Sequence, residues 1–322
     1  KVIILGSTGS LGTQVLEVLN EYRKDFKVVG LAAGQNEKLL NAQAKALGLK
    51  SGVVLASRDG ASAVCKLAEN KDADIVVNVL SGIAGITPSL KALKAGKTLL
   101  LGNKESVVAG GEKIKPFQDG VIPLDSEHNA IFEILKKFPQ KTPEIYYLPC
   151  SGGPFVGKKT KDLQNVTVKE ALAHPSWNMG VKISIESATL INKGLEIIEA
   201  HYLFKAPLSK IKVFLNPRAH IHGAVKFKGD DAVYGYFSEP NMKEHIENGL
   251  LRAINKAPKR RISKITNFQS YPAPDTKTFK GIGLVKKAFK SKELHGFLKK
   301  EEVVINKFLK GKISFMDIYK LI

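Results

Sequence analysis

Among the residues between 104 and 196 of this chain are acids, lysines and small hydroxyl and amide side chains whose types and spacing could do chemistry. If Asp125-Ser126-Glu127 is extended, Asp125 and Glu127 face the same way, because side chains alternate along a strand. Paired carboxylate oxygens on one face suit Mg²⁺ or Mn²⁺. The triplet equally suits a helix start, where Asp, Ser and Glu act as caps and dipole partners. The two readings are compatible. Glu196 falls in the helical run Leu195, Ile197, Ile198, Ala200 and adds an acid from another part of the chain. Ser187, Asn192 and Lys193 are the donors a phosphate needs, lysine serving as a point charge. Ser151, followed by two glycines, opens a turn whose N–H groups can form an anion nest or simply turn the chain. His174 to Gly180 holds the single tryptophan, Trp177, and fits neither helix nor strand periodicity. Such a stretch suits a lid over a ligand, or a core plug with His174 as a hydrogen-bonded structural residue.

These groups need a scaffold, and the first half of the chain reads as one. Lys1 to Leu5 is a short apolar run, followed by Gly6-Ser7-Thr8-Gly9-Ser10-Leu11-Gly12 and then Val15, Leu16, Val18 and Leu19 at helical spacing. Strand, glycine turn and helix in that order form a variant of the dinucleotide fingerprint. A backbone without Cβ atoms can approach a pyrophosphate, and the helix N-terminus presents N–H groups and a positive dipole end. Phe26–Ala33, Ile75–Leu80 and Thr98–Lys104 alternate with helical stretches, the pattern of a doubly wound α/β sheet. An NAD enzyme usually carries an acid at the end of the second strand. Here that strand runs into Ala33-Gly34-Gln35-Asn36-Glu37-Lys38 without one at its end, which points to NADPH, although Glu37 is near enough to matter. Asn103-Lys104-Glu105-Ser106 follows another predicted parallel strand, where ligands of open α/β sheets bind. Lys104 is a candidate substrate contact there, or a solvated helix-start lysine.

Composition bounds the remaining possibilities. A length of 322 residues implies two or three domains. No apolar run reaches the roughly 18 residues a membrane helix requires. Two cysteines, Cys65 and Cys150, cannot form a disulfide framework, which suggests a reducing, cytoplasmic setting. The formal charge of +20 is spread along the chain, without the basic–aromatic alternation of a single-strand binder. Neither a nucleic-acid partner nor a membrane is expected, and the lysine-rich C-terminal stretch reads as a solvated helical face. His220 and His222 raise a zinc question, but no neighbouring Cys or His completes a site.

Taken together, the motifs resemble the 1-deoxy-D-xylulose 5-phosphate reductoisomerase family. The likeness runs from Val2 to about Phe204. It rests on Gly6–Gly12, Gly102-Asn103-Lys104-Glu105-Ser106, Asp125–Phe132, Ser151–Phe155, His174–Gly180 and Asn192-Lys193-Gly194-Leu195-Glu196. The resemblance implies an α/β architecture with an N-terminal Rossmann-like NADPH domain (residues 1–123) and a central α+β catalytic and dimerisation domain (124–262). A linker (263–281) and a C-terminal helical domain (282–322) would follow. That last domain is expected to be shortened, because the chain ends early and lacks the family's Asn-Ala-Ala-Asn-Glu. The resemblance also implies that Asp125, Glu127 and Glu196 ligate one divalent cation, Mn²⁺ or Mg²⁺ with Co²⁺ a further option. Lys104, Ser126, Glu127, Ser151, His174, Ser187, Asn192, Lys193 and Glu196 would contact a phosphorylated sugar. Thr8, Gly9, Ser10, Leu11, Gly34, Gln35, Asn36, Asn103, Glu105 and Gly180 would line the cofactor site. Lys104, Glu127 and metal-bound water are candidates for proton transfer, the Trp177 loop would be a flap, and the enzyme would be a homodimer. Gln35 replaces a lysine more usual beside the 2′-phosphate, and Asn216–His222 departs from the family's His-Pro-Gln-Ser-x-x-His. The competing reading is another NADP-dependent Rossmann oxidoreductase acting on a small phosphorylated substrate.

Overall fold

Strands of a parallel sheet are buried on both faces and read as unbroken apolar runs; Val2-Ile3-Ile4-Leu5 is such a run, and all four side chains are fully buried. The computed structural model describes residues 1–177, 179–259 and 261–322; Asn178, within the His174–Gly180 motif, lies outside them. In chain order the first elements are β1 (Val2–Leu5), α1 (Ser10–Glu21), β2 (Val28–Ala33), α2 (Glu37–Ala46), β3 (Val53–Leu55), α3 (Ala56–Ala68), β4 (Ile75–Asn78), α4 (Ile86–Lys94), β5 (Thr98–Leu101), α5 (Lys104–Ile114), β6 (Val121–Pro123) and α6 (Ser126–Lys137). Then come β7 (Pro143–Cys150), α7 (Val168–Leu172), α8 (Val181–Ala188), α9 (Ile191–Leu203), β8 (Ile211–Leu215), β9 (Ile221–Phe227), β10 (Val233–Phe237), α10 (Met242–Ala253), β11 (Ile262–Lys264), α11 (Gly281–Lys290), α12 (Leu294–Leu309) and α13 (Phe315–Leu321).

The chain forms two units, Lys1–Asn129 with Asn241–Lys259, and Ala130–Pro240 with Arg260–Ile322. The first is a doubly wound domain. Its six parallel strands run in the order β3-β2-β1-β4-β5-β6, which reverses beside β1 and opens a ligand crevice at the C-terminal strand ends. Helix α10, expected in the central domain, instead packs in this unit. The reason is a close approach: a Cβ at Gly249 would lie 2.6 Å from Leu124 Cδ2. Asn248 Nδ2 also donates to Asn129 Oδ1 at 3.1 Å.

The second unit holds a mixed sheet in the order β11-β10-β9-β7-β8, with β7 and β8 parallel and the other pairs antiparallel. Part of the expected linker contributes to it, since Ile262–Lys264 pairs with Tyr234–Tyr236 as the edge strand. The C-terminal helices are bound to α9 by small residues. A Cβ at Gly194 would come within 2.9 Å of Val285, and one at Gly281 within 2.4 Å of the Ile191 backbone. No helix among the described residues is long and apolar enough to cross a membrane.

Helix α12 brings a buried acid, Glu301, into this unit. Its carboxylate lies 3.2 Å from Lys182 Nζ, and Lys182 also pairs with the buried Glu186. Burial, reinforced by the charge of Glu186, raises the Glu301 carboxyl well above the usual range despite Lys182. An acid whose folded-state pKa is raised stabilises the fold below its unfolded pKa, and that contribution is lost as pH rises through the folded value. Glu301→Gln should therefore raise the melting temperature relative to wild type more at pH 8 than at pH 5. Melting curves at the two pH values check this, and an equal or greater loss of stability at pH 8 would contradict it.

Candidate active site

In the first unit the glycine turn is shaped by backbone crowding. Gly6 adopts φ +95°, and a Cβ at Gly12 would lie 2.1 Å from Gly6 O. The Gly6 and Ser7 N–H groups both donate to Ala32 O, which ties the turn to the end of β2. Gly9 is the N-cap of α1, and no side chain among the described residues caps that end. The first-turn N–H groups of α1, beside Thr8, Gly9, Ser10 and Leu11, are therefore donors of the kind an anion uses. Gly34, Gln35 and Asn36 follow β2, and Asn36 accepts from Leu39 N as the cap of α2.

Asn103, expected to line the cofactor site, also holds the strand-end loops. Its side chain is 1% exposed and donates to Leu80 O, Gly82 O and Glu105, while its carbonyl oxygen caps α5 through Ser106 N. That amide ties together the loops at the strand ends. Glu105 is also buried, and one of its carboxylate oxygens accepts from Asn103.

Lys104 and Asp125 do meet. Leu101 on β5 is in register with Pro123 on β6, so the residues just beyond both strand ends are neighbours. Lys104 Nζ lies 2.8 Å from Asp125 Oδ2, with the two side chains 8% and 11% exposed. The extended reading of the Asp125-Ser126-Glu127 triplet is wrong, because α6 begins at Ser126. Asp125 Oδ1 accepts from Glu127 N at 3.2 Å, the cap arrangement, since the free amides of the first turn are the nearest donors. His128 Nδ1 is 3.0 Å from the same oxygen. Burial alone would raise the Asp125 carboxyl. The charges of Lys104 and His128, with their hydrogen bonds, outweigh it and hold the group well below the usual carboxylate range. Ser126 donates to the Glu127 carboxylate. The fully buried His128 was missed as a partner; its i,i+3 spacing from Asp125 is the available signal.

In the second unit, Ser151 and His174 form a pair. His174 Nδ1 accepts from Ser176 N at 3.2 Å and Trp177 N at 3.0 Å, so the ring proton sits on Nε2, which donates to Ser151 Oγ at 2.9 Å. Burial lowers the imidazole's pKa, which favours this neutral form. Ser151 Oγ accepts from Gly153 N as well, so its own proton is left to point at a ligand. Gly152 and Gly153, at φ +82° and +68°, make the turn possible.

On α9, Asn192 Nδ2 donates to Glu196 Oε1 at 2.6 Å and Lys193 donates to Glu196 Oε2. Glu196 is 1% exposed and Lys193 4%. Ser187 lies one residue from the end of α8, and Gly180 caps its start. The Trp177 ring packs edge-on against His222 at 5.9 Å, and Ser176 Oγ donates to Pro217 O at 3.1 Å. His222 thus acts as a rest for the tryptophan loop, a role that sequence spacing did not signal. Neither His220 nor His222 joins a metal-binding cluster among the described residues.

Family profiles cover most of the chain. Those described as 1-deoxy-D-xylulose 5-phosphate reductoisomerase match residues 2–61 and 49–111, and the C-terminal domain of the same enzyme matches 121–204. A further profile, DXP reductoisomerase C-terminal domain, matches 237–322. The reductoisomerase of Sulfurihydrogenibium sp. is 40% identical, with 100% of this chain and 89% of that one covered. That of Aquifex aeolicus is 37% identical with the same coverage. Among solved structures, the Zymomonas mobilis enzyme in complex with NADPH superposes with a TM-score of 0.84 at 30% identity, covering 99% of this chain and 89% of that one. A reductoisomerase in complex with NADPH, fosmidomycin and magnesium gives 0.83 at 30% identity, covering 98% and 86%. The chain belongs to the 1-deoxy-D-xylulose 5-phosphate reductoisomerase family.

Proposed function

We infer that this chain is a metal-dependent reductoisomerase, an NADPH-linked oxidoreductase that converts 1-deoxy-D-xylulose 5-phosphate to 2-C-methyl-D-erythritol 4-phosphate. The observation that carries this is the 40% identity to such an enzyme over the whole chain. By the same likeness, the reaction serves non-mevalonate isoprenoid synthesis and runs by retro-aldol cleavage, aldol re-formation and hydride transfer. Most of the residues assigned to the cofactor lie in the first unit and most of those assigned to the substrate in the second.

The residues present fit both a divalent cation and a dinucleotide. Asp125, Glu127 and Glu196 are assigned as ligands of one divalent cation, since all three offer the hard oxygens that Mg²⁺ and Mn²⁺ prefer. Asp125 is already held ionised, as a ligand must be. The glycine turn and the uncapped start of α1 fit a pyrophosphate. Thr8, Gly9, Ser10, Leu11, Gly34, Gln35, Asn36, Asn103, Glu105 and Gly180 are assigned to NADPH. When bound, the cation supplies polarisation of the ketone and NADPH supplies the hydride.

The chain's own side chains orient the sugar. Ser151, fixed by the neutral His174, offers its hydroxyl proton to a phosphate oxygen, and Ser187, Asn192 and Lys193 add further donors. Binding the phosphate at a distance lets its interaction energy orient the reacting carbons. Lys104 Nζ and Ser126 Oγ are assigned to the sugar oxygens beside Asp125, and the Trp177 loop excludes water as it closes. A homodimer and a cytoplasmic location complete the proposal by family likeness, with Mn²⁺ or Mg²⁺ as the cation; sedimentation tests the dimer.

Asp125→Asn, Glu127→Gln and Glu196→Gln should each lower turnover by roughly a hundredfold or more, with an unchanged far-ultraviolet spectrum. Steady-state rates with saturating Mn²⁺ check this. A near-wild-type rate from any one of the three would remove that residue from the ligand set. Gly194→Leu should separate α9 from α11 and cost about 1–3 kcal/mol of stability. Urea denaturation tests it, and an unchanged midpoint would contradict the close approach.

A further inference from the structure

An NADP-dependent Rossmann site needs a cation near the end of its second strand, and Gln35 does not provide one. Arg58 stands close by. It follows β3, which pairs with β2 through Ala33↔Leu55, and Ser57 N donates to Gly34 O at 3.0 Å. Gly60, at φ +78°, breaks α3 just after its first turn, so Arg58 and Asp59 sit on a short turn of their own. Asp59 grips one edge of the guanidinium, with Nε at 2.8 Å and Nη2 at 3.1 Å. Asp59 is itself fixed by Leu55 N at 2.8 Å. The remaining edge, through Nη1, reaches Glu37 Oε1 at 2.6 Å. Glu37 is the first residue of α2, at the end of the β2 loop.

The two contacts differ in how easily they exchange. The Asp59 clamp is local and bidentate. The Glu37 contact joins side chains 55% and 51% exposed, the kind of pair that contributes little in water. Around it is room: a Cβ at Gly34 would meet nothing within 4 Å among the described residues. Glu37, an acid placed to hold a ribose hydroxyl in place of a phosphate, is engaged by Arg58 instead.

We propose that Arg58 reads the 2′-phosphate of NADPH in this chain, with Glu37 as the counter-ion that the phosphate displaces. A phosphate dianion accepts the Nη1 edge with a charge-assisted hydrogen bond stronger than the exposed carboxylate provides. Glu37 then lowers affinity for NADPH by competing for Arg58, and sets how strongly the enzyme prefers it over NADH. The inference rests on the proposed cofactor site.

Equilibrium binding of NADPH and NADH, followed by nicotinamide fluorescence without substrate or metal, tests it. Arg58→Met should weaken NADPH about tenfold or more and change NADH less than about twofold, with Arg58→Lys in between. Glu37→Gln should tighten NADPH about two- to fivefold and leave NADH alone. If Arg58→Met weakens both dinucleotides equally, or neither, Arg58 is not the phosphate reader although the cofactor site stands. If Glu37→Gln weakens NADH, Glu37 holds the ribose and the proposal falls. Wild-type protein that binds neither dinucleotide overturns the cofactor site and this proposal together.

Discussion

A carboxylate removed from water must be matched by charge or it takes up a proton. Asp125 is matched three times, by Lys104, by the Glu127 N–H at the start of α6 and by His128. The match depends on the sheet. Strands β5 and β6 are adjacent and parallel, so Lys104 and Asp125 leave neighbouring C-terminal ends at the same level. A lysine with a flexible stem then reaches the acid without strain. Any change that shifts β6 against β5 would separate the pair and leave two buried charges unmatched, which is strongly destabilising. The polar ends of the first unit's sheet are therefore held by the same registration that closes its core.

In the second unit the acid Glu196 is treated in the same way by its own helix. Asn192 and Lys193 lie one turn earlier, at i−4 and i−3, and both donate to it. The three polar groups are thus kept ordered among apolar neighbours, and Gly194 lets α11 pack against the back of the same turn. Ser151 and His174 show the same economy: two backbone N–H groups choose the tautomer, and the tautomer chooses which way the serine hydroxyl points.

Much of this was legible in the residues. The Gly6–Gly12 turn, the buried parallel strands and the strand-end position of Lys104 follow from local pattern, because glycine spacing and apolar runs are set by neighbours in sequence. What was misread depends on distant partners. The Asp125 triplet was given an extended alternative because alternation and capping use the same residue types. Helix α10 was placed with the wrong unit because its partner surface, Leu124 beside Gly249, lies far away in sequence. Ser263 and Lys264 were read as the start of the linker because an edge strand of three residues has almost no periodicity. His222 was set aside with the zinc reading, although its contact is with Trp177. Glu301 looked like one more charge on a lysine-rich helix, yet it is fully buried beside Lys182.

The most direct test of the whole account follows NADPH oxidation with 1-deoxy-D-xylulose 5-phosphate as the sole carbonyl substrate, in protein stripped of metal and then resupplied. The account predicts no turnover after chelation, recovery with Mn²⁺ or Mg²⁺, and 2-C-methyl-D-erythritol 4-phosphate as product. Turnover that persists in the chelator, or no oxidation of NADPH with any divalent cation, would contradict it.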